Sequence, residues 1–151
     1  MLLTQIIGGL LFTSYIHVPG YLKNSDDGTL LDQWHTMGAI GKAVVPPLAL
    51  IASGANFLNS YFTYTQPQHY RFVAAGALSL AILPYTLLTL GSTNAELASR
   101  AEKKQVGPDF GLKDLSVKDL IKRWSNRSAV RGFLLLASML VSCDGMLHLT
   151  F

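Results

Sequence analysis

Four long stretches that carry almost no charge constrain this chain more than any other feature. They run Leu2–Tyr21, Ala43–Tyr61, Phe72–Leu90 and Gly132–Phe151. Each is close to the ~20 apolar residues that cross a hydrocarbon core of ~30 Å. Backbone polar groups cannot stay unpaired in lipid, so the stretches are expected to be helices rather than strands. Composition agrees, with 14% charged residues and a mean hydropathy of +0.32, well off the balance of a soluble domain. The expectation is an all-α fold: one integral membrane four-helix bundle over residues 1–151.

The N-terminus lacks a basic leader region and a small-x-small cleavage site, so it reads as a first spanning helix rather than a signal peptide. Pro19-Gly20 ends it. Small residues recur along the spans (Gly8, Gly9, Ala52, Gly54, Ala55, Ala74, Ala75, Gly76, Ala137), and such positions let helices approach closely. The second span is expected to extend back to about Leu30. Between the third and fourth lies the one sizeable polar segment, Ser92–Ser128. In it, Asn94–Gln105 continues the third helix, Gly107-Pro108 breaks it, and amphipathic Leu115–Trp124 is expected to lie on the membrane surface.

Charge sets the orientation. Lys23 in the first loop and eight Lys/Arg in the third fall on one side, against Arg71 in the second loop. The positive-inside rule then places loops one and three in the cytosol and both termini on the lumenal side. The sequon Asn126-Arg127-Ser128 should stay unglycosylated, and the endoplasmic reticulum is the expected membrane if the source is fungal.

Several function classes drop out. The net charge of +3 comes from one connecting segment that also carries acids, so no basic stripe for nucleic acid exists. A single cysteine, Cys143, excludes an internal disulfide and a cysteine metal cluster. No phosphate-cradling loop, dinucleotide fingerprint, nucleophile elbow, or haem or iron–sulfur pattern is present. The expected partner on composition is the bilayer, and a homo-oligomer is compatible.

Polar side chains within spans are costly, so each is a candidate functional residue. Sorted by depth they form two groups. Toward the cytosol lie His17, Gln33, Trp34, His35, Lys42, Thr86, Asn94 and Arg131; opposite lie Gln5, Asn56, Asn59, Asp144 and His148. Each has a bland alternative: Lys42 and Arg131 can snorkel to headgroups, His35 can be solvated, and His17 can bond a carbonyl. Pro46-Pro47 and Pro84 remove helix amides and should free carbonyls near Lys42, Ala43 and Leu80. Asp144 is expected to pair with His148, Gln5 or Asn56 in a structural cluster, and no metal site is assigned.

The run Gln33-Trp34-x-x-Met37-x-x-x-Gly41-Lys42-x-x-x-Pro46 resembles the second-helix signature of the anthrone oxygenase-like family. Ser14…Pro19, Pro84-Tyr85-Thr86…Thr93-Asn94…Leu97 and Trp124…Val130-Arg131 continue the match across nearly the whole chain, while Gly38 stands where an aromatic is usual. The resemblance implies a four-helix membrane fold. For characterised fungal members it implies oxidation of an anthrone to an anthraquinone without a metal or flavin, with molecular oxygen as co-substrate. A hydrophobic aromatic small molecule is expected as a partner only as what this resemblance, carried by Gln33–Pro46, implies. That chemistry needs a base, donors for the enolate oxygen and a dry aromatic pocket. His35 or His17 is the candidate base, Lys42 and Arg131 the oxyanion holders, Gln33 and Asn94 the positioning amides. Trp34, Tyr85 and Thr86 complete the substrate site. The rivals are a related enolising enzyme such as a cyclase, and a non-catalytic assembly or small-ligand-binding protein.

Overall fold

The computed structural model describes residues 8–103 and 115–148. Four helices account for nearly all of them: α1 (residues 8–24), α2 (Asp27–Phe62), α3 (His69–Lys103) and α4 (Val117–Leu147). The fold is all-α, and α2, α3 and α4 are each long and apolar enough to cross a membrane. Local sequence sets their starts. Asp26 caps α2, its Oδ2 accepting from the amides of Gly28 (3.1 Å) and Thr29 (3.2 Å), while the Thr29 hydroxyl donates to Oδ1 at 2.6 Å. Ser116 caps α4 by accepting from the Asp119 amide and donating to its carboxylate. Each cap satisfies amides that a helix start leaves open.

At ~1.5 Å per residue, the 36 residues of α2 extend about 54 Å and the 31 of α4 about 46 Å. Both outrun a hydrocarbon core of ~30 Å, so the bundle has a second core beyond the spans. Leu30, Leu31 and Trp34 of α2 meet Leu90 and Leu97 of α3, Val117, Leu120, Ile121 and Trp124 of α4, and Val18 of α1. This corrects the expectation for Leu115–Trp124. Its apolar stripe does not lie on a membrane surface; Leu120, Ile121 and Trp124 are buried against the helix extensions, which offer an apolar face that water would otherwise cover. The fourth helix therefore begins at Val117, and α3 stays helical through Lys103. The Gly107-Pro108 break lies outside the described residues. Arg100, 1% exposed, fastens this end: its Nε meets Glu96 at 2.8 Å and its Nη1 donates to the Leu115 carbonyl at 2.9 Å.

The opposite end is held by small residues and a chain of hydroxyls. Ser53 donates to the Gly76 carbonyl at 3.0 Å, Ser142 to Asn56 Oδ1 at 2.8 Å, and Ser138 to the Ala75 carbonyl at 2.7 Å. Ser138 has one proton and spends it there, so Ser79 is the donor in their 2.8 Å contact. Close approach requires Gly76, where a Cβ would come within 2.9 Å of the Phe57 ring. Asp144 meets His148 at 3.5 Å, one of the expected partners, and adds an ion pair with Arg71 at 2.7 Å, while Asn56 is taken by Ser142. Gln5 lies outside the described residues.

Between these two cores α2 is unpacked. After Trp34 its next buried residue is Ala49, although Met37, Gly38, Gly41, Val45 and Leu48 recur on the same face at helical spacing and are only half-buried. The first helix does not cover this face. It packs on α4, where Gly132 admits Leu11 and Tyr15 meets Phe133 edge-on. Among the described residues the bundle thus leaves a slot between α1 and α2 along the middle of α2.

Candidate functional site

Two widened turns shape the floor of this slot. In α1, Thr13–His17 is a π-helical turn in which the Val18 amide bonds the Thr13 carbonyl. Pro19 has no amide to offer, so the Ser14 carbonyl lacks a backbone donor, and the Ser125 hydroxyl of α4 supplies one at 2.9 Å. In α3, Pro84 follows a break at Ala81, and Thr86–Leu90 is again a π-helical turn. The Thr86 and Thr89 hydroxyls donate back to the Ile82 and Tyr85 carbonyls, both at 2.7 Å, a pattern that bends helices. Arg127 of α4 donates to the Thr89 carbonyl and, at 3.1 Å, to the Thr93 hydroxyl. Widened turns of this kind gather at functional sites. The two prolines of α2 behave differently, for the helix runs unbroken through Pro46 and Pro47.

Above the floor stands an aromatic pair. Trp34, 2% exposed, meets Trp124 edge to face with ring centroids 6.2 Å apart. Tyr85 packs against the same cluster and donates its hydroxyl to the Arg127 carbonyl at 3.3 Å. Arg131 lies within electrostatic reach of Tyr85, and its Nη2 donates to the Ser128 hydroxyl. Four atoms of this region are buried without a partner: Gln33 Oε1, Trp34 Nε1, Arg131 Nε and Ser14 Oγ. Buried polar atoms are nearly always paired, so this group is poised for a polar ligand.

The residues singled out in the sequence divide accordingly. Gln33, Trp34, Tyr85 and Arg131 border the region, Thr86 spends its hydroxyl within α3, and Asn94 is half-buried one turn past the widened segment. His35 and Lys42 fall seven residues apart along α2 and are both exposed. His17 is exposed on α1 but is held by Phe12 (4.6 Å between centroids) and Tyr21 (5.6 Å), and Tyr21 packs on the aromatic cluster. Sequence reasoning missed Arg127, Ser125 and Ser128. The signal was available in the spacing, since Trp124, Ser128 and Arg131 recur on one face of α4. Among the described residues, no three His, Cys, Asp or Glu side chains converge as a metal site.

No solved structure matches the chain. The profile of the anthrone oxygenase family matches residues 34–141. An anthrone oxygenase of Claviceps purpurea is 32% identical over 144 residues, covering 92% of this chain and 80% of the relative. One from Aspergillus fumigatus is 26% identical over 149 residues, covering 89% and 82%. The matched segment contains Trp34, Tyr85, Arg127 and Arg131. A four-helix membrane protein with this aromatic and cationic cluster, the chain belongs to the anthrone oxygenase family.

Proposed function

We propose that this protein is a membrane-embedded oxygenase that converts an anthrone-like aromatic ketone to the corresponding quinone, with dioxygen as co-substrate and no bound cofactor. Family membership gives the reaction class. The observation that carries the site is the group of buried, unpartnered polar atoms around the Trp34–Trp124 pair.

The chemistry balances without an external reductant. Removing a proton from the methylene carbon opposite the ketone gives an electron-rich enolate. Dioxygen adds at that carbon, and the hydroperoxide formed loses water to leave a second carbonyl. One oxygen atom enters the quinone, the other leaves as water, and the substrate supplies all four electrons that reduce dioxygen as its methylene carbon becomes a carbonyl. Arg131, whose Nε is buried without a partner, stabilises negative charge on the ketone oxygen in this reading, and such donors act strongly where water is excluded; Tyr85, its hydroxyl spent on the Arg127 carbonyl, contributes its ring. The Trp34 amine and Gln33 orient the ring system. His17, whose ring meets Tyr21 at the edge of the cluster, takes the role of proton acceptor in this reading, ahead of the exposed His35 and Lys42, for which no such contact exists among the described residues.

On this reading the Trp34 end faces the cytosol, following the basic loops, in the endoplasmic reticulum of a fungal cell. The test is purified protein in lipid vesicles given an anthrone in air. Quinone absorbance should rise well above the spontaneous rate. Saturable binding with no acceleration would instead favour a non-catalytic ligand-binding protein.

A further inference from the structure

Between α1 and α2 the helices make no extended contact, and α2 has no buried residue from His35 through Leu48, which leaves a slot along its middle. Its α2 wall has no side chain at Gly38 and Gly41. A Cβ at Gly41 would meet nothing within 4 Å, and one at Gly38 would meet only the Trp34 ring, at 3.8–4.0 Å from Cζ2, Cη2 and Cε2. Cε2 is bonded to Nε1, so the indole edge that carries the unpartnered amine lies over Gly38. The exposed surface of both helices near this level is apolar: Ile16 on α1, and Ile40 and Val44 on α2. Exposed apolar surface on a spanning bundle faces lipid, and a planar aromatic ketone concentrates in lipid because its apolar surface is costly in water.

We propose that this slot is a lateral port through which a planar aromatic ketone passes from the bilayer to the Trp34 edge, and that Gly38 and Gly41 set the width of ring system admitted. The proposal rests on the substrate class argued above but not on turnover. A side chain at Gly41 fills the passage without entering either core, so binding and packing separate at this position. Gly54 is the matched control on the same helix, exposed and with nothing within 4 Å of its Cβ position.

The experiment uses the full chain in phosphatidylcholine vesicles, with anthraquinone as a probe that needs no turnover. The chain's two tryptophans, Trp34 and Trp124, sit together at the head of the slot, so their quenching by the probe reads arrival. In a Cys143→Ser background, Gly41→Cys and Gly54→Cys are folded first and then alkylated with a bulky maleimide, which removes folding as a variable. Alkylation at position 41 should weaken saturable quenching at least tenfold, and alkylation at 54 should leave it unchanged. Quenching should follow the probe's mole fraction in lipid rather than its total concentration. Equal quenching after alkylation at 41 and 54, or dependence on aqueous concentration alone, would overturn the port. Wild-type quenching without anthrone oxidation would remove the oxygenase reading and leave the port standing; absence of saturable quenching in the wild type would remove the port whatever the oxidation rate.

Discussion

Arg127 of α4 donates to the main-chain oxygen of Thr89, inside the widened turn of α3. The same guanidinium reaches Thr93, and the Arg127 carbonyl receives the Tyr85 hydroxyl. One residue therefore pins the α3 distortion and anchors the phenol at the floor of the slot. Arg127→Met should cost about 1.5–3 kcal/mol in stability, the usual range for a charged hydrogen bond, and lower quinone formation about tenfold. Arg127→Lys should recover part of both, because an ammonium lacks the planar fork that spans two acceptors. Comparing kcat with KM across the pair checks this: a positioning role predicts the larger loss in kcat.

Gly132 makes the α1–α4 contact possible. A Cβ there would fall 2.7 Å from Leu11 Cδ2 and 2.9 Å from its Cγ. Gly132→Val should therefore destabilise the protein by about 1–3 kcal/mol, as overpacking does, measured by denaturation in mixed micelles. Since α1 packs chiefly on α4, the variant should also expose α1 to proteolysis before the other helices.

Asp26 gives a pH-dependent contribution. Hydrogen bonds from Thr29 and the start of α2 hold its carboxyl below the ordinary carboxylate value. A lowered folded-state value means the added stability is present above the unfolded value and fades as pH falls through the folded one. Asp26→Ala should lower the thermal midpoint at pH 7, and the difference should close as pH falls through the lowered folded-state value. Asp26→Asn should retain most of the cap.

The helices were legible because lipid permits so few alternatives: uninterrupted apolar runs can only be spanning helices. Their lengths were harder to read. Composition marks where lipid contact ends, not where the helix ends: the extension of α2 to about Leu30 was legible, but that of α4 looked like a surface helix, and the core built from Leu30, Trp34, Leu120 and Trp124 was hidden with it. The site was half legible. Depth placed Trp34, Tyr85 and Arg131 at one level, but depth alone cannot tell a buried side chain of α2 from an exposed one, and His35 and Lys42 are exposed. Arg127 was hidden by its role in charge counting. The widened turns were unreadable because their cause is spread between Pro19, Pro84 and partners more than a hundred or about forty residues away in α4.

The central claim is that the cluster around Trp34, Tyr85 and Arg131 drives oxidation of an anthrone-like ketone. The most direct test follows isotopically labelled dioxygen into the quinone, in vesicles carrying the wild type or Arg131→Met. The account predicts one labelled oxygen per quinone with the wild type and a rate about 10²-fold lower in the variant, the scale of losing one oxyanion donor. A labelled quinone formed at equal rates by wild type, Arg131→Met and protein-free vesicles would contradict it.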